Sequence, residues 1–388
     1  MPWKETCAVE ERKKFIEAAQ AKSMPFSELC RRFGVSRETG YTWVERYHQQ
    51  GVTGLEDRSR APKRRPWALS ADMAKRLIAL RKKRPSWGPR KMLGYLELHH
   101  PELELPAAST VGELLRREGL VTPRRRRRWP AGATPTGLEE VSAPNDCWAV
   151  DFKGQFVVDH EYCYPLTTSD LFSRFLLGCT ALRSTETLGV RAAFERLFHE
   201  YGLPGAIRSD NGVPFSSVAL GGLSTLAVWW VRLGIRLERI PPGKPQHNGR
   251  HERMHKTMKA EACRPPAPHL DAQQDRFDAF RLDFNTERPH EALANEVPAA
   301  VYEPSQRSYP STLPESEYPG HFAMRRVRHD GSIKLLSQEL YLSEPLAREV
   351  VGLEELDDRL WHLHFGPVFL GIIDGRGRRL RLIPAARA

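Results

Sequence analysis

The sequence predicts a multidomain α/β protein, in which helical N-terminal units precede a mixed α/β core and a small C-terminal β-barrel. Three observations support this prediction. The 388 residues are enough for two or three domains. Apolar residues follow helical spacing in the first third, alternate between strand and helix patterns in the middle, and form short β-type runs at the end. The positive charge is concentrated in the first third.

The charge distribution separates a basic arm from a nearly neutral body. Residues 1–130 carry 29 Lys and Arg against 15 Asp and Glu, whereas the remaining residues carry 30 against 33. The net charge of +11 therefore comes from the N-terminal third. Such an arrangement is typical of a polyanion-binding arm on a separate working domain. The alternative is a surface that only confers solubility, which the one-sided bias disfavours.

The first domain, residues 1–60, has the pattern of a helix-turn-helix unit. Ser27–Phe33 has the apolar spacing of a short helix, and Gly34 to Ser36 form a turn in which Ser36 is the N-cap. Arg37–Tyr47 follows as a longer helix. This second helix exposes side chains of the types that bind base edges or phosphates: Arg37, Thr39, Thr42 and Arg46. A plain helical hairpin is the alternative.

Residues 68–129 are predicted to form a second helical DNA-binding domain with a basic tail. Its helices lie between Ser70 and about Leu120. The tail is a run of five arginines: Arg124, Arg125, Arg126, Arg127 and Arg128. Like charges at this density stay extended and bind phosphates without sequence preference.

Residues 145–302 alternate strands and helices and are predicted to form the central α/β domain. The pattern predicts strands at 148–152, 155–159, 174–180, 205–209 and 236–240. Helices are predicted at 185–201 and 223–233 and from residue 249 onward. Residues 321–388 contain short β-type runs separated by turns, which predict the small β-barrel.

Three acidic residues occupy unusual positions in the central domain. Asp151 lies within an apolar strand, Asp210 ends another strand and precedes Asn211-Gly212, and Glu252 lies at the start of a helix. If the two strands are neighbours, their carboxylates meet at one sheet edge, where cations must neutralise them. Ligands that are all oxygen suit Mg²⁺, and two such ions about 3.5–4 Å apart can promote phosphodiester displacement. We therefore predict that these three acids are catalytic and bind two Mg²⁺ ions, with Mn²⁺ as a substitute.

Four segments carry a resemblance to a known family. They are Trp148–Phe152, Arg208–Phe215, Pro245–Arg253, and Phe284–Leu293, which has the pattern Asn-x-x-Arg-Pro-His-x-x-Leu. Together and in this order they resemble the integrase-type DDE transposases of bacterial insertion sequences, relatives of the retroviral integrases. The resemblance implies a ribonuclease-H-like fold for the mixed-sheet catalytic core. It also implies cleavage at the 3′ ends of an element followed by strand transfer.

The resemblance also implies partners and further site residues. The partners are double-stranded DNA, both as terminal inverted repeats and as target, and other copies of the chain in a dimer or larger assembly. Lys256 and Lys259 lie one and two turns after Glu252, where the family places lysines that bind DNA phosphates. Lys244, in the preceding loop, is a further candidate. Asp159 and Asp170 lack the Asp-Asn-Gly context and are assigned loop or structural roles.

Other functions remain open at this point. His251-Glu252-Arg253-Met254-His255 has the His-Glu-x-x-His pattern of zinc proteases. That interpretation leaves Asp151, Asp210 and the basic arm unexplained, and it lacks an evident third ligand. A stronger rival is a sequence-specific DNA-binding regulator with an inactive integrase-like core. A third possibility is a nuclease without strand transfer.

Cysteine spacing and hydropathy predict the compartment. The six cysteines contain no Cys-x-x-Cys pair, so the sequence indicates neither a zinc knuckle nor a disulfide framework. There is no run of 18 or more apolar residues that could span a membrane. We expect a cytoplasmic, nucleoid-associated bacterial protein.

Overall fold

The computed structural model describes residues 7–58, 69–121, 140–241 and 249–385. The chain divides into two compact units, residues 1–68 and residues 69–388. The predicted DNA-binding residues Arg124 to Arg128 and Lys244 lie outside the described residues. None of the helices in the described ranges is long and apolar enough to cross a membrane.

The first unit contains the predicted helix-turn-helix. Its helices are α1 (Ala8–Gln20), α2 (Phe26–Arg32) and α3 (Arg37–Gln50), followed by a short 3₁₀ helix at Gly51–Leu55. Ser36 caps α3 as predicted, since its hydroxyl accepts a hydrogen bond from the Thr39 amide at 3.1 Å. Gly34, at φ +68°, makes the left-handed turn between α2 and α3. A small apolar core joins the helices: Phe15, Ile16, Leu29, Cys30 and Leu55.

The second unit begins with three more helices. They are α4 (Ala71–Lys83), α5 (Pro89–His99) and α6 (Ala108–Arg117). Their shared core includes Leu77, Trp87 and Met92, all almost fully buried. Ser70 caps α4 by accepting a hydrogen bond from the Met73 amide. These three helices form a small bundle within the second unit.

The centre of the second unit is a mixed six-stranded sheet. Its strands are β1 (Cys147–Phe152), β2 (Phe156–Val158), β3 (Glu161–Asp170), β4 (Leu176–Leu182), β5 (Ala206–Ser209) and β6 (Arg236–Arg239). The order is β2-β3-β1-β5-β6, and β4 also pairs with β3. The pairs β1–β3 and β3–β4 are antiparallel, whereas β1–β5 and β5–β6 are parallel.

Helices cover both faces of this sheet. Helices α7 (Thr187–Tyr201) and α8 (Thr225–Arg232) share one apolar core with Trp148 and Val150 of β1. Helices α9 (Gly249–Glu261) and α10 (Leu270–Thr286) share another with residues of β3 and β4. A short helix, α11 (Pro298–Val301), follows. The sequence therefore predicts the mixed-sheet core correctly, because α7 and α8 have clear helical spacing and β1 is strongly apolar.

The longest strand, β3, contradicts the sequence analysis, which predicts no strand between residues 159 and 174. Pro165 and the polar run Thr167-Thr168-Ser169 hide the apolar alternation that normally indicates a strand. The polar side chains have a specific reason to be there, because Thr167 and Ser169 bind histidines of α9. Asp170 ends the strand in a structural role, as predicted, and accepts hydrogen bonds from Asn145 and Ser173.

The C-terminal region is β-rich, but the predicted closed barrel is wrong for the described residues. Its strands are β7 (Ala323–Arg326), β8 (Ser332–Leu335), β9 (Gln338–Tyr341), β10 (Val350–Asp357), β11 (Leu360–Phe365), β12 (Val368–Asp374) and β13 (Arg381–Pro384). Five of them form an open sheet in the order β13-β12-β11-β10-β7, and β8 and β9 form a separate hairpin. The apolar face of the open sheet packs against α8, so closure is not needed to bury it.

The segment with the Asn-x-x-Arg-Pro-His pattern has a structural role in this fold. Asn285, at the end of α10, accepts a hydrogen bond from the Leu176 amide at 2.8 Å and donates one to the Leu176 carbonyl at 3.0 Å. Arg288 is buried and forms an ion pair with Glu261 at 2.9 Å. The pattern therefore joins α10 to β4 and to the end of α9.

Replacing Asn285 tests this role. In Asn285→Ala, the buried amide and carbonyl of Leu176 lose their partner, and we expect the free energy of unfolding to fall by about 2–4 kcal/mol. Urea denaturation of the full chain measures the change. The control is Thr286→Ala at the next, exposed position, where a loss below about 0.5 kcal/mol is expected. Equal losses in the two variants would contradict the assignment.

Candidate active site

Asp151 lies near the end of β1, on the face of the sheet that α9 covers. Side chains alternate along a strand, so Asp151 shares its face with Cys147 and Ala149, opposite to Trp148 and Val150. Its side chain is about one-fifth exposed. The carboxylate therefore stands at the rim of the apolar interior rather than on an open surface.

The pairing of β1 with β5 brings the second acid to the same edge. The two strands are parallel, with Cys147 beside Ala206, Trp148 beside Ile207 and Ala149 beside Arg208. Each pair is 59 positions apart, which is also the separation of Asp151 and Asp210. Continuing this register by two residues sets the two aspartates side by side, and neighbouring strands lie about 4.8 Å apart. The pairing thus directs both acids to the same edge of the sheet, beyond the last paired residues, Ala149 and Arg208.

The loop after β5 holds Asp210 in place. Its carboxylate accepts a hydrogen bond from the Gly212 amide at 3.1 Å, and a Cβ at Gly212 would lie 3.2 Å from the same carboxylate. The Asn211 side chain donates to the Ile240 carbonyl at 2.9 Å, which fixes the loop to the end of β6. Phe215 is buried and stacks against Trp230 of α8. The Asp-Asn-Gly segment is thus a braced turn that leaves the aspartate exposed.

Helix α9, which carries Glu252, is anchored beside Asp151 by two histidines. The hydroxyl of Thr167 lies 2.6 Å from His251 Nε2 and 2.7 Å from His255 Nε2, and it donates to the Asp151 carbonyl at 3.0 Å. A hydroxyl has one proton and two lone pairs, so Thr167 accepts from both rings. Ser169 lies 3.2 Å from Nδ1 of His251. These contacts join the glutamate helix to the strand that pairs with β1.

Both histidines are neutral in this setting. Burial lowers the pKa of His251 to about 4. Burial, together with repulsion from His251 and Lys153, lowers the pKa of His255 to about 2. The approach of His255 Nδ1 to Asp151 Oδ2 at 4.0 Å is therefore not an ion pair. The His-Glu-x-x-His pattern is explained as an anchor, and in the described residues no third protein ligand completes a metal site with these two rings.

Glu252 lies on the exposed side of α9, next to this buried stripe. Lys256 and Lys259 are also exposed, and their spacing of four and seven residues from Glu252 places all three on one face of the helix. The helix thus presents one carboxylate and two ammonium groups to solvent above the sheet edge. Such a face can bind a phosphate backbone, although the roles of the two lysines remain predictions.

The three acids are not arranged as ligands of a single ion. In the parts of the chain that the structure describes, they do not form a group in which all ligand oxygens lie within 4.8 Å of one another. Two ions about 3.5–4 Å apart do not require all three acids to lie this close together, because only one acid has to bind both ions. Asp151 lies between the strand of Asp210 and the helix of Glu252, and the donors are all carboxylate oxygens. This donor set fits Mg²⁺.

The predicted DNA-contacting residues of the first unit lie on α3. Arg37, Thr39 and Thr42 are exposed, and the Arg46 guanidinium stacks over Trp43 at 4.7 Å from the ring centre. Val44 and Tyr47 pack against the core of this unit. The candidate DNA-contacting side chains of α3 thus lie away from the side of the helix that packs against the core. Their contacts with bases or phosphates remain a prediction.

Several residues that position the site have no recognisable pattern in the sequence. Thr167 and Ser169 lie in the strand that the sequence does not predict, and the roles of Arg288 and Glu261 depend on contacts between distant elements. Ser86 donates to Glu261, and Arg288 lies over Trp87, so the block α4–α6 contacts the end of α9. No local pattern in the sequence marks these contacts, because each joins residues far apart in the chain.

Replacing the shared hydroxyl tests the anchor of α9. Thr167→Val removes the acceptor of both imidazoles, and we expect local opening of α9 to become about ten- to a hundredfold more favourable. Hydrogen exchange of the amides of α9, measured by mass spectrometry, reports this change. Thr168→Val is the matched control, because Thr168 pairs with Val150 on the opposite face. Unchanged exchange of α9 in Thr167→Val would show that the histidines do not anchor the helix.

Comparison with known families gives matches along most of the chain. Residues 11–63 match a helix-turn-helix domain family, and residues 39–115 match a homeodomain-like domain family. Residues 141–245 and residues 233–298 match two families that are both described as an integrase core domain. The helical units and the mixed sheet therefore correspond to families with these folds.

Individual proteins show the same likeness. The uncharacterised 31.7 kDa protein of insertion element IS407 from Burkholderia multivorans is 28% identical over 57% of this chain and 77% of its own length. The uncharacterised 39.2 kDa protein of insertion element IS476 from Xanthomonas euvesicatoria is 25% identical over 60% of this chain and 65% of its own length. The solved HTLV-2 integrase catalytic core domain in complex with magnesium is 16% identical, with a TM-score of 0.33, over 42% of this chain and 98% of that chain.

Proposed function

We propose that this chain is a transposase of the integrase-core type, which cuts DNA at the ends of an insertion element and joins them to a target. The observation that carries the proposal is the 59-residue register between β1 and β5, which equals the separation of Asp151 and Asp210. Two carboxylates side by side at a sheet edge, with a third on an anchored helix, suit phosphodiester chemistry.

The acids would hold two Mg²⁺ ions. Asp151, Asp210 and Glu252 would supply the carboxylate oxygens that bind them. When bound, the ions would supply Lewis acidity to the phosphate and lower the pKa of water, with Mn²⁺ as a substitute. The neutral state of His251 and His255 fits this role, because two imidazolium charges beside Asp151 would compete with cations for its carboxylate.

The reaction consists of two displacements at phosphorus. In the first, a water oxygen forms a bond to the phosphorus at the element's end, and the bond to the 3′ oxygen breaks to leave a free hydroxyl. In the second, that hydroxyl attacks a phosphodiester of the target and expels a target 3′ oxygen. Lys256 and Lys259 would hold the phosphates on either side of the reacting one. The braced loop at Asp210 and the anchored α9 keep the three acids in place between the two steps.

DNA binding is assigned to the N-terminal third. Helix α3 would contact base edges of the terminal inverted repeats through Arg37, Thr39, Thr42 and Arg46. The high positive charge of residues 1–130 would add phosphate contacts, so affinity should fall steeply as salt rises. Two ends must be joined to one target, and we therefore propose that the chain acts as a dimer or larger assembly on DNA.

Substitution of the acids tests the function directly. Asp151→Asn, Asp210→Asn and Glu252→Gln remove a negative ligand without changing side-chain size, and we expect each to reduce cleavage of labelled element-end DNA in Mg²⁺ by about 10³-fold or more, the scale of losing about 4 kcal/mol of transition-state stabilisation. Binding to the same DNA should persist. Asp159→Asn, in an exposed turn, is the control and should cleave like the wild type.

The same assay separates the rival functions. Wild-type binding without cleavage at any Mg²⁺ or Mn²⁺ concentration would favour the DNA-binding regulator with an inactive core. Cleavage without appearance of joined product would favour a nuclease. Cleavage that survives Asp151→Asn would refute the assignment of the site.

A further inference from the structure

A cluster of metal-ligand side chains lies in the C-terminal sheet, outside the site described above. Glu354 of β10 pairs directly with His362 of β11, and His364 lies two residues further along the same strand. Because strand side chains alternate, both histidines and Glu354 share one face, opposite the apolar face of Leu353 and Leu363. The register alone therefore brings the three side chains together.

The distances in this cluster fit a coordination shell, although the contact of His362 with Glu354 is also a long hydrogen bond. His362 Nδ1 lies 3.4 Å from Glu354 Oε2, and His364 Nε2 lies 3.8 Å from the same oxygen. The ligand atoms of the three residues all lie within 4.8 Å of one another. Good hydrogen bonds of this kind measure about 2.7–3.0 Å. Ligands about 2.0–2.1 Å from a tetrahedral Zn²⁺ are separated by about 3.3–3.4 Å, close to the observed spacing.

One nitrogen of the cluster lacks the partner that its burial calls for. His364 Nε2 is buried and has no hydrogen-bond partner. Buried polar atoms in folded proteins are nearly always satisfied, and a cation between His364 and Glu354 would satisfy this one.

A further histidine lies near Glu354, in the chain before β7. His321 Nε2 lies 3.7 Å from Glu354 Oε1, the oxygen that the contacts of His362 and His364 do not use, and His321 is not a member of the close group. Its neighbours hold this segment on the sheet, because Tyr318 donates to the Val350 carbonyl at 2.7 Å. A Cβ at Gly352 would lie 2.4 Å from Tyr318 and 2.7 Å from Phe322, so the glycine permits this close approach. The segment therefore covers the face that carries the cluster.

We propose that Glu354, His362 and His364 bind one Zn²⁺ ion. Two imidazole nitrogens and one carboxylate oxygen form a donor set that Zn²⁺ prefers over Mg²⁺. Three protein ligands leave the fourth position of a tetrahedral ion to water. The ion would join β10 to β11. The proposal is independent of the DNA chemistry assigned to Asp151, Asp210 and Glu252.

Zinc binding by the full-length protein tests the proposal. The chelator-treated protein is titrated with Zn²⁺ in excess Mg²⁺, and bound zinc is measured by elemental analysis after gel filtration. We expect about one tightly bound zinc in the wild type and more than about tenfold weaker binding in His362→Gln and in His364→Gln, the scale on which lost support of a metal site weakens affinity. His329→Gln, in the exposed turn between β7 and β8, is the control and should retain the zinc.

Further readouts keep the test decisive. Zinc should raise the melting temperature of the wild type and of His329→Gln, but not that of His362→Gln. Co²⁺ in the wild type should give the visible absorption of tetrahedral coordination, which tests the site even if a variant fails to fold. Asp151→Asn should keep its zinc. A wild type without tight zinc, or zinc that is lost in Asp151→Asn and kept in His362→Gln, would overturn the proposal.

Discussion

The parallel pairing of β1 with β5 is the constraint on which the site depends. A carboxylate repels another carboxylate, so no local preference would bring Asp151 and Asp210 together. The backbone ladder does so because it fixes the register through Cys147, Trp148 and Ala149, all almost fully buried. A slip of one residue would turn the apolar side chains of β1 to the wrong face. The apolar core therefore sets the geometry of the charged edge.

The glutamate helix reaches this edge by a different means. Helix α9 has apolar contacts through Met254 and Met258, but apolar contacts alone do not fix the rotation of a helix against a sheet. Two imidazoles that share one hydroxyl do fix it, because each hydrogen bond requires a defined direction. The anchoring contacts of His251 and His255 thus account for the His-Glu-x-x-His pattern without zinc-protease chemistry.

The sequence could predict the elements and acids that local patterns define. Apolar alternation marks β1, helical spacing marks α7, and the Asp-Asn-Gly turn marks Asp210. It could not predict β3, since Pro165 and the threonines interrupt the apolar alternation. Thr167 is polar because it binds a histidine of α9, which is distant in the sequence. The sequence also could not predict that the C-terminal sheet is open. Its apolar face is buried against α8, whereas in a closed barrel the sheet would bury that face itself. Such pairings join residues far apart in the chain, and no local signal reports them.

The ion pair between Arg288 and Glu261 connects the helical bundle to the helix that carries Glu252. Glu261 is the last residue of α9, and Ser86, in the turn between α4 and α5, binds both partners of the pair. Trp87 lies against Arg288 on the same side. The carboxyl end of α9 is therefore held by a bundle that contributes none of the three acids.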